Sequence, residues 1–126
     1  DRQEKRERPV VYIDIQTLRD SYGHATASMH KAYEALLEHY NVYILAPSPS
    51  NAPKQMVADM AWVEEYLSAP AWGHVLFTNE RQLIYGDYLV ASTPQSEFMG
   101  TTIEWGSDDF KTWEEIIVFF DRLGGQ

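Results

Sequence analysis

Five short apolar runs punctuate the chain, and between them the apolar residues fall at helical spacing. "VVYID" (10–14) is β-branched, unbroken and ends on a carboxylate, the pattern of a strand buried on both faces. "VYIL" (42–45), "HVLF" (74–77), "DYLV" (87–90) and "TTIEW" (101–105) repeat the theme. Met29, Ala32, Tyr33, Leu36, Leu37 and Tyr40 predict a helix that Asn41 ends. After the Pro/Ser/Asn-rich loop "APSPSNAP" (46–53), Met56, Met60, Val63 and Leu67 predict a second helix, stopping before Pro70. Trp113, Ile116, Ile117 and Phe120 stripe a last helix, closed by Gly124-Gly125. Strands alternating with helices predict a three-layer, Rossmann-like α/β domain with a mainly parallel sheet. Ligands of such sheets sit at the carboxyl ends of the strands. Here those ends are Asp14, Ala46-Pro47-Ser48, Thr78-Asn79 and Ala91-Ser92.

The totals narrow the function. A chain of 126 residues, 44% hydrophobic, is long enough to bury one core. It has no cysteine, which excludes disulfides, thiolate catalysis and zinc–sulfur sites. Residues 1–8, "DRQEKRER", read as a charged leader or linker ahead of a core over 9–126. They carry four of the ten basic groups, so the remainder has six basic against sixteen acidic residues. Such a body repels phosphate backbones, which argues against nucleic-acid binding. No apolar run approaches a membrane span or a secretory signal, so a cytoplasmic location without a membrane partner is expected.

"HYNVYILAPSPSNAP", "ADMAWVEEYL", "LFTNERQLIYGDYLV" and "EFMGTTIEWGS" together resemble the haloacid-dehalogenase superfamily. Within it they are most similar to the bacterial branch of the cytosolic 5′(3′)-deoxyribonucleotidases. The resemblance runs from about Ala27 to Phe120, and rests on Trp-Val-x-x-Tyr-Leu, Gly-Asp-Tyr-Leu and Phe-x-Gly at linked spacing. It implies an HAD-like core whose first and fourth strands are neighbours, and magnesium-assisted phosphate-monoester hydrolysis through an aspartyl-phosphate.

Carried over one position at a time, that chemistry is depleted. The nucleophile position falls on Asp14 and is kept. The acid/base position falls on Gln16, which has no proton to donate. The phosphate-binding Ser/Thr position falls on Ala46, followed by Pro47, so a hydroxyl and a backbone N–H are both lost. The Lys position falls on Arg81, which keeps charge without the compact ammonium. The metal-binding acids fall on Ala91 and Ser92. Asp87 begins its strand and lies about 13 Å from the strand's far end, too distant to replace them. Where the family inserts a helical cap, only ten residues separate Gln16 from Ala27.

The expectation is a degenerate, capless homologue: a pseudophosphatase without a cofactor, binding a protein partner or small ligand. A weak Mg²⁺-dependent phosphomonoesterase using Asp14 as nucleophile is the alternative. An assembly module that forms a homo-oligomer is a third. The bland readings are a capping role for Asp14, solvated roles for His24, His30, His39 and His74, and turn roles for Ser48, Ser50 and Asn51. Tyr12, Tyr33, Tyr40, Tyr43, Trp62 and Trp72 are expected in the core or at its edge.

Overall fold

The computed structural model describes residues 9–19, 22–26, 28–47, 53–67, 69–92 and 98–124. The leader, and Ser48, Ser50 and Asn51, lie outside these residues.

β1 (Val10–Asp14) runs straight into a single turn, α1 (Ile15–Leu18), and a longer helix follows as α2 (Met29–Leu37). β2 (Asn41–Ala46), α3 (Pro53–Tyr66) and the short α4 (Ala69–Trp72) come next. β3 (Val75–Phe77), a 3-10 turn (Arg81–Leu83), β4 (Tyr88–Ala91), β5 (Thr101–Glu104) and α5 (Trp113–Gly124) complete the order. All four strand pairings are parallel, in the order β3-β2-β1-β4-β5. The first and fourth strands are neighbours, and the domain is a Rossmann-like three-layer α/β fold. Among the described residues no helix is long and apolar enough to cross a membrane.

The two faces of the sheet are covered unequally. Val11, Ile13, Val42, Ile44, Val90 and Ile103 meet Tyr33 and Leu36 of α2, Trp62 and Val63 of α3, and Trp113, Ile116 and Phe120 of α5. The opposite face presents Tyr12, Leu45, Leu89 and Ala91, covered by Ile84 and Phe98 from the strand connections. The Tyr12 hydroxyl donates to Tyr85 O at 2.8 Å. Burial, then the neighbouring Tyr43, push its pKa up.

Helix ends follow local chemistry. Thr112 precedes α5 and its hydroxyl accepts from Glu115 N at 3.4 Å, the Thr-x-x-Glu spacing of a capping box. Glu114 and Glu115 in the first turn and Arg122 in the last complement the helix dipole.

Four sequence expectations need adjustment. Asn41 opens β2 rather than ending α2, its N–H donating to Pro9 O at 2.9 Å. The buried stripe of α3 is Asp59, Trp62 and Val63, with Met56 and Met60 only half-buried. Trp72 is 47% exposed, its indole N–H tied to Leu67 O at 3.1 Å. His74 is half-buried and stacked on Tyr43 at 4.6 Å. These shifts share a cause: tertiary packing chose which flank of each local pattern to bury.

Candidate functional site

Asp14 closes β1, the central strand, at the edge where parallel sheets hold ligands. It is 7% exposed and lies opposite Leu45 of β2. The β1–β4 register, Ile13 beside Val90, sets Ala91 next to Asp14 when continued by one residue. One strand spacing of about 4.8 Å separates such neighbours.

The Asp14 carboxylate has a structural task. Its Oδ1 accepts from Gln16 N at 2.9 Å and caps α1. Thr17 Oγ1 donates to Asp14 O at 2.7 Å, and the Trp113 indole donates to Thr17 O at 3.1 Å. Thr26 Oγ1 also donates to Thr17 O, at 3.0 Å. A four-residue helix has little stability of its own. α1 stands because β1, Thr26 and α5 hold it from three sides.

Asp14, Ala46 and Ala91 end the neighbouring strands β1, β2 and β4. Ala46 ends β2 fully buried, its carbonyl accepting from Thr78 N at 3.0 Å. Ala91 is fully buried, and its carbonyl accepts from Trp105 N at 2.8 Å. Gln16 and Ser92 are exposed, and Arg81 opens the 3-10 turn beyond β3. Asp87 is at the other end of the sheet, its Oδ2 accepting from Val10 N at 2.8 Å. Among the described residues no three His, Asp or Glu side chains gather to hold a metal. Among the described strand tips here, Asp14 offers a carboxylate and Ala91 only a buried methyl.

The most specific sequence motifs mark the opposite edge. A Cβ on Gly100 would stand 2.6 Å from Gly86 O and 2.8 Å from Asp87 O. A Cβ on Gly86 would stand 2.4 Å from the Tyr12 ring. Gly-Asp-Tyr-Leu and Phe-x-Gly therefore describe a backbone seam where β4 and β5 begin.

Sequence reasoning missed a buried ion pair. Arg19, just after α1, reaches Asp59 Oδ1 of α3 at 2.7 Å, and Asp59 is wholly buried. Gln55 Nε2 donates to the same oxygen at 2.9 Å. The Trp62 indole donates to Gly23 O at 2.7 Å, binding the same connection to α3. The available signal was helical spacing, since Asp59 lies three and four residues before the apolar Trp62 and Val63.

The fold and this site define a Rossmann-like α/β domain with a carboxylate at the tip of its central strand. No family profile matches the sequence. A protein of Vibrio phage KVP40, named "Putative 5'(3')-deoxyribonucleotidase", is 32% identical over 91 residues. That alignment covers 70% of this chain and 54% of the relative, so the chain spans about half the length of the curated relative it matches.

Proposed function

We propose that this chain is a degenerate member of the haloacid-dehalogenase superfamily, a capless 5′(3′)-deoxyribonucleotidase homologue. In this reading it acts as a pseudophosphatase, a binding or regulatory module rather than a hydrolase. The observation that carries the reading is the pair at the strand tips: Asp14 occupied as a helix cap, and a buried alanine methyl beside it. The described residues between Asp14 and α2 form one turn and an isolated Arg19–Ala25 bridge, which supports a capless edge. Loss of a general acid costs about 10²–10⁴-fold and loss of an oxyanion donor about 10²–10³-fold. Such losses need not add, yet little turnover would survive both.

The test restores what is missing. Gln16→Asp, Ala46→Ser, Ala91→Asp and Ser92→Asp together should create Mg²⁺ binding, read by calorimetry, where the wild type gives none. A small aryl phosphate, which needs no cap to read a base, should go unhydrolysed by the wild type. Retention of Asp14 at the central strand tip favours one other reading, a weak Mg²⁺-dependent phosphomonoesterase. Wild-type hydrolysis that Asp14→Asn abolishes would establish that reading and overturn ours.

A further inference from the structure

α3 is inside out over its middle turns. Between Met56 and Ala61 its one polar residue, Asp59, is wholly buried, while Val57 is 70% exposed and Ala58 and Ala61 are exposed. Met56 and Met60 are half-buried, and with Val57 and Ala61 they line an open hollow of about 390 Å³ against Phe77 of β3. A surface helix ordinarily turns its polar stripe outward. Arg19 and Gln55 account for the buried acid, but not for the apolar side chains left in water on the other side.

The charges at the ends of that outer stripe oppose their own helix. A helix favours acids in its first turn and bases in its last. α3 has neither: Lys54 stands in the first turn, and Glu64 and Glu65 stand in the last. All three are exposed, and among the described residues they make no hydrogen bond or ion pair. With Val57, Ala58 and Ala61 they recur every three to four residues, so they share one face.

We propose that α3 packs antiparallel against α3 of a second copy of the chain, across a two-fold axis passing between Ala58 and Ala61. The charge order selects this occupant. Lys54 and the two glutamates stand about 15–17 Å apart along the helix, placed evenly about that axis. The axis therefore brings each Lys54 against Glu64 and Glu65 of the other copy. It also sets each helix end against the opposite end of the second dipole, where the misplaced charges become favourable. A parallel pairing would set base against base and acid against acid. The alanines let the two backbones come close, and Val57 with the methionines closes the hollow on either side.

One helix face buries less than the ~1,200–2,000 Å² of a standard interface, so the dimer is weak and reversible. Each copy carries a formal net charge of −9, and salt screens that repulsion as well as the paired ends. The proposal is independent of whether the Asp14 site is active.

Sedimentation equilibrium from about 10 μM to 1 mM covers the dissociation constants of such a dimer. The wild type should pass from monomer to dimer across that range, and Val57→Asp should remain monomeric. Lys54→Glu should also remain monomeric, and so should Glu64→Lys with Glu65→Lys. Both charge variants now agree with the dipole of α3, so each should unfold at a temperature no lower than the wild type. Loss of association in them is then not loss of folding. An equimolar mixture of the two should dimerise, because a wholly acidic stripe then faces a wholly basic one. A mixture that stays monomeric refutes the antiparallel register. A wild type monomeric throughout, or a dimer indifferent to these substitutions, overturns the proposal.

Discussion

Arg19 and Asp59 form a salt bridge at 2.7 Å between the β1–α2 connection and the buried side of α3. The guanidinium also lies over the Trp62 ring, 5.7 Å from its centroid. Among the described residues Asp59 Oδ2 has no hydrogen-bond partner, so the carboxylate depends on Arg19 and Gln55 through its other oxygen. Removing one partner of a buried pair typically costs about 3–5 kcal/mol. Arg19→Ala should approach that cost in urea denaturation. Arg19→Met with Asp59→Leu should come within about 1 kcal/mol of the wild type, since no charge is then left buried. An Arg19→Ala protein as stable as the wild type would show that the pair contributes nothing.

Asp14 should behave as a cap. Asn serves at the position before a helix about as well as Asp, so Asp14→Asn should change stability by less than about 0.5 kcal/mol. Asp14→Ala should cost about 1 kcal/mol. Thermal unfolding of the two variants reads the difference. A large loss for Asp14→Asn would mean that the negative charge itself is required.

Gly100→Ala should be among the most damaging exposed substitutions. The added methyl meets the carbonyl oxygens of Gly86 and Asp87, which are backbone and cannot rotate away. Asp87 is also committed on both sides, donating to Val10 O at 2.9 Å and accepting from Thr101 N at 3.0 Å. A loss of about 1–3 kcal/mol is expected, as for other overpacked sites. Alanine at Gly73, where a Cβ would find no atom within 4 Å, is the control and should be near neutral.

Tyr33 makes the fold sensitive to alkali. Its buried hydroxyl has no hydrogen-bond partner among the described residues, and burial, then Glu34, raise its pKa from 10.0 to about 12. A raised folded value means the native state holds its proton longer than the unfolded chain. The associated stability is intact below pH 10 and is lost as pH climbs towards 12, by roughly 2–3 kcal/mol. Tyr33→Phe should flatten that part of the stability–pH curve without weakening the protein at neutral pH, because an orphaned hydroxyl is removed. An unchanged alkaline limb would assign the loss to Tyr12 or Tyr40, whose values are also raised by burial.

Strand positions were legible because buried parallel strands leave dense β-branched runs such as "VVYID" and "VYIL". The adjacency of β1 and β4 came through the resemblance, and the register agrees with it. Helix faces were read less well. The buried pairing of Asp59 went unread, since its partner Arg19 stands forty residues away. Pairing across that distance has no local periodicity to betray it. Asp14 was legible as the tip of a strand, while its bond to Gln16 N needed the turn of α1 to be seen. Trp72 misled because an indole can keep its N–H bonded within its own turn and still leave its ring in water.

The central place in the sheet belongs to the earliest strand. β1 pairs with β2 on one side, but on the other it waits for β4, whose neighbour Asp87 lies 77 residues after Val10. During synthesis at about 5–20 residues per second, that flank of β1 stays unpaired for several seconds. The nascent chain thus carries an open, apolar strand edge until β4 has been made. Pairings so distant in sequence slow folding, and exposed edges invite association with other chains. For this protein the vulnerable moment precedes the native state, and yield in the cell should respond to translation speed and chaperone supply more than to small changes in final stability.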